Sequence, residues 1–332
     1  MGWGYQALRI RLASTASNKL KGNGMTKYLL AATLLTATLL PAQEGPTRTQ
    51  TLIALDSKSP QTPTLQSITI KVNDRETPLT SLAPIPPTGA QVALLIDDGL
   101  RSSVGRQLDD IRNFITSLPP GTEIFIGYME NGRVVPAQEF TTDYAAAAKN
   151  LRIPMSSPGA SASPYFCLSD FTKHWPGAPE DDSASATRKA RFVMMLTNGV
   201  DPYNGSVSPL NQNSSYVDAA VADAQRAGIA VYSIYYGDSG FRGGAASFSG
   251  QNYLSEVAEG TGGRTYYQGT GSPVSIAPFL KQFRAAIAET YVATFEAPGN
   301  KNLVRIKLST SLPNTKVRAA QEIRPGTTIT TP

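Results

Sequence analysis

Residues 92–96 form a continuous apolar run that stops at two carboxylates, Asp97 and Asp98, followed by Gly99, Leu100, Arg101, Ser102 and Ser103. A second run, 191–196, stops at Thr197, Asn198, Gly199, Val200 and Asp201, with Tyr203 just beyond. A third segment, 156–163, is rich in hydroxyls, among them Ser161 and Ser163. Open α/β sheets bind ligands at the carboxyl ends of their strands, where the strand order reverses. These three loops therefore offer carboxylate, amide and hydroxyl oxygens at one end of a sheet. That is chemistry of binding, because the parts of a nucleophilic mechanism are missing. His174 is the single histidine, so no Ser-His-Asp set and no ordinary zinc shell is evident. Cys167 is the single cysteine; it excludes an internal disulfide and reads as a buried, inert thiol. Glu180, Asp181 and Asp182 read as a solvated loop, and the glycines at 243–244 and 260–263 lack the Lys-Ser/Thr ending of a phosphate loop.

The elements that must position these loops alternate. Residues 92–96, 123–129, 191–196, 229–236 and 264–267 read as strands, and helical spacing follows most of them, as in Val104, Leu108, Ile111 and Ile115. Asn131-Gly132 is a two-residue hairpin signal, and Thr142-Asp143 can cap a helix of alanines. Residues 165–171, 216–227, 254–258 and 276–287 read as further helices. The expected fold class is α/β: a doubly wound, mainly parallel sheet with one antiparallel edge strand over residues 89–288. Residues 43–65, rich in Thr, Pro, Ser and Gln, read as a linker within a 43–88 segment that also holds strands at 66–72 and 76–82. Strands at 291–296 and 303–308, within 289–332, are expected to pair with 66–82 in a small β subdomain.

The net charge of +5 is misleading about partners. Arg9, Arg11, Lys19, Lys21 and Lys27 lie in residues 1–42, which contain no acidic residue. The rest of the chain is balanced, which removes the electrostatic argument for nucleic acid. Residues 25–42 have a short basic start, an apolar stretch at 28–40 and then Pro41-Ala42, the pattern of a secretory signal peptide. The stretch is short for a membrane span of ~20 residues. No span is expected beyond this segment, and the protein is expected to be exported. Residues 1–24 fit no signal peptide and read as a misassigned extension ahead of Met25.

The loops and their order resemble the von Willebrand factor type A domain, over about 89–288. The tail at 291–296 and 304–308 looks like bacterial exported proteins of that class. In that family an Asp-x-Ser-x-Ser loop, a threonine and a later aspartate hold Mg²⁺ or Mn²⁺, and most members bind proteins rather than catalyse reactions. The resemblance places Asp97 at the first aspartate, Asn198 at the later one, and Ser161 or Ser163 near the threonine. Gly99 and Arg101 stand where the two serines belong. A hard cation loses charge and ligands together. The expectation is a degenerate metal site without cofactor, with Arg101 pairing Asp97 in the ion's place. The function implied is binding of a protein or cell-surface component through a rim of Asp97, Asp98, Arg101, Ser102, Ser103, Asn198, Asp201 and Tyr203. A metal-free scaffold of an envelope assembly and a Mg- or Mn-dependent adhesion module are the alternatives, and no enzyme activity is expected.

Overall fold

The computed structural model describes residues 45–331 apart from 58, 60, 156–159, 179–186, 204–212, 238–242, 270 and 300–301. The leader reading at 1–42 and the acidic run at 180–182 lie outside the described residues. The chain starts with β1 (Pro46–Ser57), β2 (Ile68–Val72), β3 (Arg75–Thr77) and β4 (Leu79–Pro84). It continues through β5 (Ala90–Asp97), α1 (Leu108–Thr116), β6 (Glu123–Glu130), β7 (Arg133–Thr141), α2 (Tyr144–Lys149), α3 (Pro164–Lys173) and β8 (Thr187–Arg188). Then come β9 (Ala190–Thr197), α4 (Ser215–Arg226), β10 (Ile229–Tyr235), α5 (Gly243–Thr261), β11 (Thr265–Tyr266) and α6 (Ala277–Ala288). The last strands are β12 (Thr290–Pro298), β13 (Val304–Thr310), β14 (Thr315–Arg318), β15 (Glu322–Ile323) and β16 (Thr328–Ile329).

The central sheet has the order β11-β10-β9-β5-β6-β7. All neighbours run parallel except β6 and β7, which form an antiparallel hairpin. Asn131 and Gly132 at its tip have φ of 49° and 77°, the two positive values that such a turn requires. Strand residues point alternately to opposite faces, and each face has its own core. Val92, Leu94 and Ile96 of β5 pack with Ile111 and Phe114 of α1, Ala147 of α2 and Phe283 of α6. Ala93 and Leu95 pack instead with Leu168 and Phe171 of α3, Val217 of α4 and Leu254 of α5. Both faces are thus covered by helices, which explains why the inner strands read as unbroken apolar runs. The order reverses at β5: β6 lies on one side of it and β9 on the other. The switch point therefore falls between the ends of β5 and β9, at Asp97 and Thr197.

Chain ends build a second layer. Sheets of order β14-β1-β12-β4 and β15-β13-β2-β3 join residues 46–84 to 290–323. In them β13 pairs antiparallel with β2, and β12 with β4. The linker reading of 43–65 is corrected here, because Pro46–Ser57 is a strand paired with β12 along nine residues. Its buried Thr49, Gln50 and Thr51 gave no apolar signal. Two of them find partners far along the chain: Gln50 donates to the Thr294 hydroxyl at 3.0 Å and accepts from the Ile329 amide at 2.6 Å. The Gly326 amide donates to the Thr49 hydroxyl at 3.0 Å. Among the described residues no helix is long and apolar enough to cross a membrane.

Candidate functional site

Asp97 ends β5 and is 3% exposed. One carboxylate oxygen accepts the Gly99 amide at 2.9 Å, and the other accepts the Thr197 hydroxyl at 2.7 Å. The Ser161 hydroxyl adds a further hydrogen bond. Burial pushes the Asp97 carboxyl above the ordinary aspartate range, and these three donors pull it partly back. Thr197 closes β9, the neighbour of β5, so the switch point itself supplies this contact. Ser161 arrives because the β6–β7 hairpin holds its loop: the Asn131 amide donates to the Ala160 carbonyl at 2.7 Å, and Gly132 to the Ser161 carbonyl at 3.0 Å. Ser163 does other work, capping α3 through the Tyr165 amide.

Asp98 is fully buried, and its charge is met by Arg152. The two guanidinium nitrogens reach its two oxygens at 2.6 and 3.1 Å, and the Met155 amide donates to it at 3.0 Å. The Arg152 guanidinium lies 3.8 Å from the centre of the Tyr128 ring. Arg101, expected on Asp97, is exposed and begins the 3-10 turn Ser102–Gln107, with Ser102 exposed and Ser103 half-buried beside it. The cation that meets Asp98 is Arg152. Arg152 lies 54 residues from its partner, and nothing local in the sequence marks it.

The second loop also departs from expectation. The Asn198 side-chain oxygen folds back to accept the Val200 amide at 2.9 Å. Asp201 is only 3% exposed. It accepts the Tyr203 amide at 3.1 Å and the hydroxyl of Ser214, the cap of α4, at 3.0 Å. It organises the loop from within and presents no face to a partner. Tyr203 does stand out, at 54% exposure. Its ring is 5.2 Å from that of Phe166, which in turn meets Tyr216 edge-on at 4.8 Å. His174 sits at the far end of α3, where Trp175 next to it donates to Gln91 at the start of β5. The sheet separates it from the loops above.

The donors at this turn can be set against those that a hard divalent cation takes. Such ions take six or more oxygens with carboxylate charge among them. Both oxygens of Asp97 already accept protein hydrogens, and both oxygens of Asp98 face a guanidinium. Gly99 and Arg101 offer no side-chain oxygen, and that of Asn198 is turned to its own backbone.

No protein-family model matches the chain, and no curated protein matches it. Among solved structures, a von Willebrand factor type A protein from Catenulispora acidiphila is similar at 12% identity and TM-score 0.42, over 87% of this chain and 76% of that one. The ArnB paralog VWA2 from Sulfolobus acidocaldarius is similar at 10% identity and TM-score 0.38, over 84% and 76% of the two chains. Manganese-loaded TRAP protein from Plasmodium vivax shows 11% identity and TM-score 0.41, over 74% of this chain and 98% of that one. Likeness at this level carries no argument about the site, which rests on the strand order and the contacts above.

Proposed function

We propose that this chain is an exported domain of von Willebrand factor A type. It binds another protein or a cell-surface component through the carboxyl end of its central sheet, and it does so without a divalent ion. One observation carries the placement. Of the eight large apolar side chains exposed among the described residues, six lie at that end: Ile153, Met155, Tyr203, Tyr267 and Val274 on its loops and Tyr216 in the first turn of α4. Single exposed apolar residues are ordinary, but a gathering of them on one end of a fold marks an interaction surface. Tyrosine also suits a contact face, since it buries much area at little entropic cost. Arg101, Ser102 and Ser103 supply polar groups at the edge of this surface.

Capture from a surface extract of the source organism tests the placement. Tyr203→Ala together with Met155→Ser should abolish recovery of the partner while leaving the melting temperature unchanged, because both side chains are largely exposed. His174→Ala, at the opposite end, should recover it in full. The reverse pattern would move the binding face to the other end of the sheet.

A further inference from the structure

β13 and β14 follow one another through residues 311–314, yet they do not pair. β13 joins β2 in one sheet and β14 joins β1 in the other, so the two strands diverge. The alternation of peptide groups along an antiparallel ladder shows what this leaves open. The Asn73 amide donates to the Arg305 carbonyl at 2.9 Å, so Arg305, Lys307 and Ser309 turn their peptide groups towards β2. Ile306, Leu308 and Thr310 turn theirs the other way. On that side β15 pairs only with Val304 and Arg305, and the Ile306 amide reaches the Gln321 carbonyl at 2.8 Å. The N–H and C=O of Leu308 therefore face outward, with no strand against them among the described residues. Val317 is turned out likewise, because its partner Leu55 gives its amide to the Glu289 carbonyl on the opposite side, at 3.1 Å, and β14 is the last strand of its sheet.

Both open edges border one groove, which also touches Glu259, Gly262 and Gly263 around the end of α5. Those residues precede β11, so the groove lies at the amino end of the central sheet, away from the rim and independent of it. Its lining sets Arg305, Lys307 and Arg318 against one carboxylate, Glu259. Lys307 and Arg318 meet Asp74 and Asp56, but solvent reaches both pairs, so they hold weakly and leave the cations able to meet a second carboxylate. Lys71 stands directly opposite Lys307, both exposed, and like charges in that position repel. On the inner face, Leu308 and Val317 are half-buried against the core of the chain-end sheets. We propose that this edge takes an extended acidic segment of a partner protein as an added antiparallel strand on β13. The added strand gains main-chain hydrogen bonds from the open edge, and its side chains alternate between two faces. Apolar ones lie beside Leu308 over the core, and acidic ones lie beside Arg305 and Lys307.

A labelled peptide of alternating Glu and Val, titrated into the full chain and followed by fluorescence polarisation, tests this. It should bind, and the same peptide with Lys in place of Glu should bind at least tenfold more weakly. Residues directly opposite each other share a face, so the valines oppose Leu308 and their amides make the new bonds. N-methylation of the valines should therefore abolish binding. At saturation the peptide should slow hydrogen exchange at the Leu308 amide. Arg305→Glu combined with Lys307→Glu should weaken binding at least tenfold and leave the melting temperature unchanged, since both side chains are exposed. Absence of binding, binding that survives valine methylation, or an exchange rate at Leu308 that the peptide does not alter would overturn the proposal. A chain that is already a dimer, with the Leu308 amide protected before any peptide is added, would assign the edge to a second copy and overturn it as well.

Discussion

Replacing Gly250 with alanine should destabilise the protein by about 2 kcal/mol or more, although alanine is the better helix former by ~1 kcal/mol. Gly250 lies within α5, and a Cβ there would stand 2.2 Å from the Asn198 carbonyl oxygen. The approach is mutual, because a Cβ on Gly199 would come within 2.5 Å of the Gly250 carbonyl. Gly199 also has φ of +66°, which other residues adopt at a cost. Neither neighbour is the end of a flexible side chain, so the helix or the loop must shift as a unit. The propensity gain is therefore outweighed by overpacking. Equilibrium unfolding in urea measures the net change. A gain in stability would mean that the Asn198–Asp201 loop is not clamped by α5, and that its aromatic neighbour Tyr203 is not held in a fixed position.

Asp97 gives the second large effect, in two parts. Asp97→Ala strips the acceptor from the Gly99 amide and from the Thr197 and Ser161 hydroxyls, all in a buried turn. Leaving such donors unpaired should cost about 3 kcal/mol. Asp97→Asn keeps the shape and one acceptor oxygen, and should cost at most ~1 kcal/mol at neutral pH. The pH dependence separates charge from shape. Burial raises the Asp97 carboxyl in the folded protein, so the native state holds its proton more tightly than the unfolded chain does. The stability from this group is complete below the unfolded aspartate range and is lost as pH climbs through the raised folded value. Asp97→Asn should abolish that decline. A decline of the same size in the variant would assign it to another group.

The sequence makes some of this plain and hides the rest for physical reasons. The strands β5, β9 and β10 are legible because both of their faces are buried, so nearly every residue is apolar. Asn131-Gly132 and the Asp143 cap of α2 are legible because a local rule governs each. β1 is not legible, since it is buried through polar residues, and Gln50 and Thr49 meet hydrogen-bond partners more than 240 positions away. At the site, Asp97 follows from the end of an apolar run. Arg152 does not, because an ion pair spanning 54 residues leaves no periodic trace. Asp201 misleads for a related reason. An aspartate just beyond a strand reads as exposed, but its partner Ser214 lies 13 residues on.

The central claim is that recognition occurs at the carboxyl end of the sheet and needs no ion. The most direct test is the affinity of the captured partner, measured by titration in EDTA and in Mg²⁺, for the natural protein and for Tyr203→Ala. Equal affinity is expected in the two buffers, with at least a tenfold loss for Tyr203→Ala, or ~1.4 kcal/mol. Binding that appears only with Mg²⁺, or that ignores Tyr203→Ala, would contradict it.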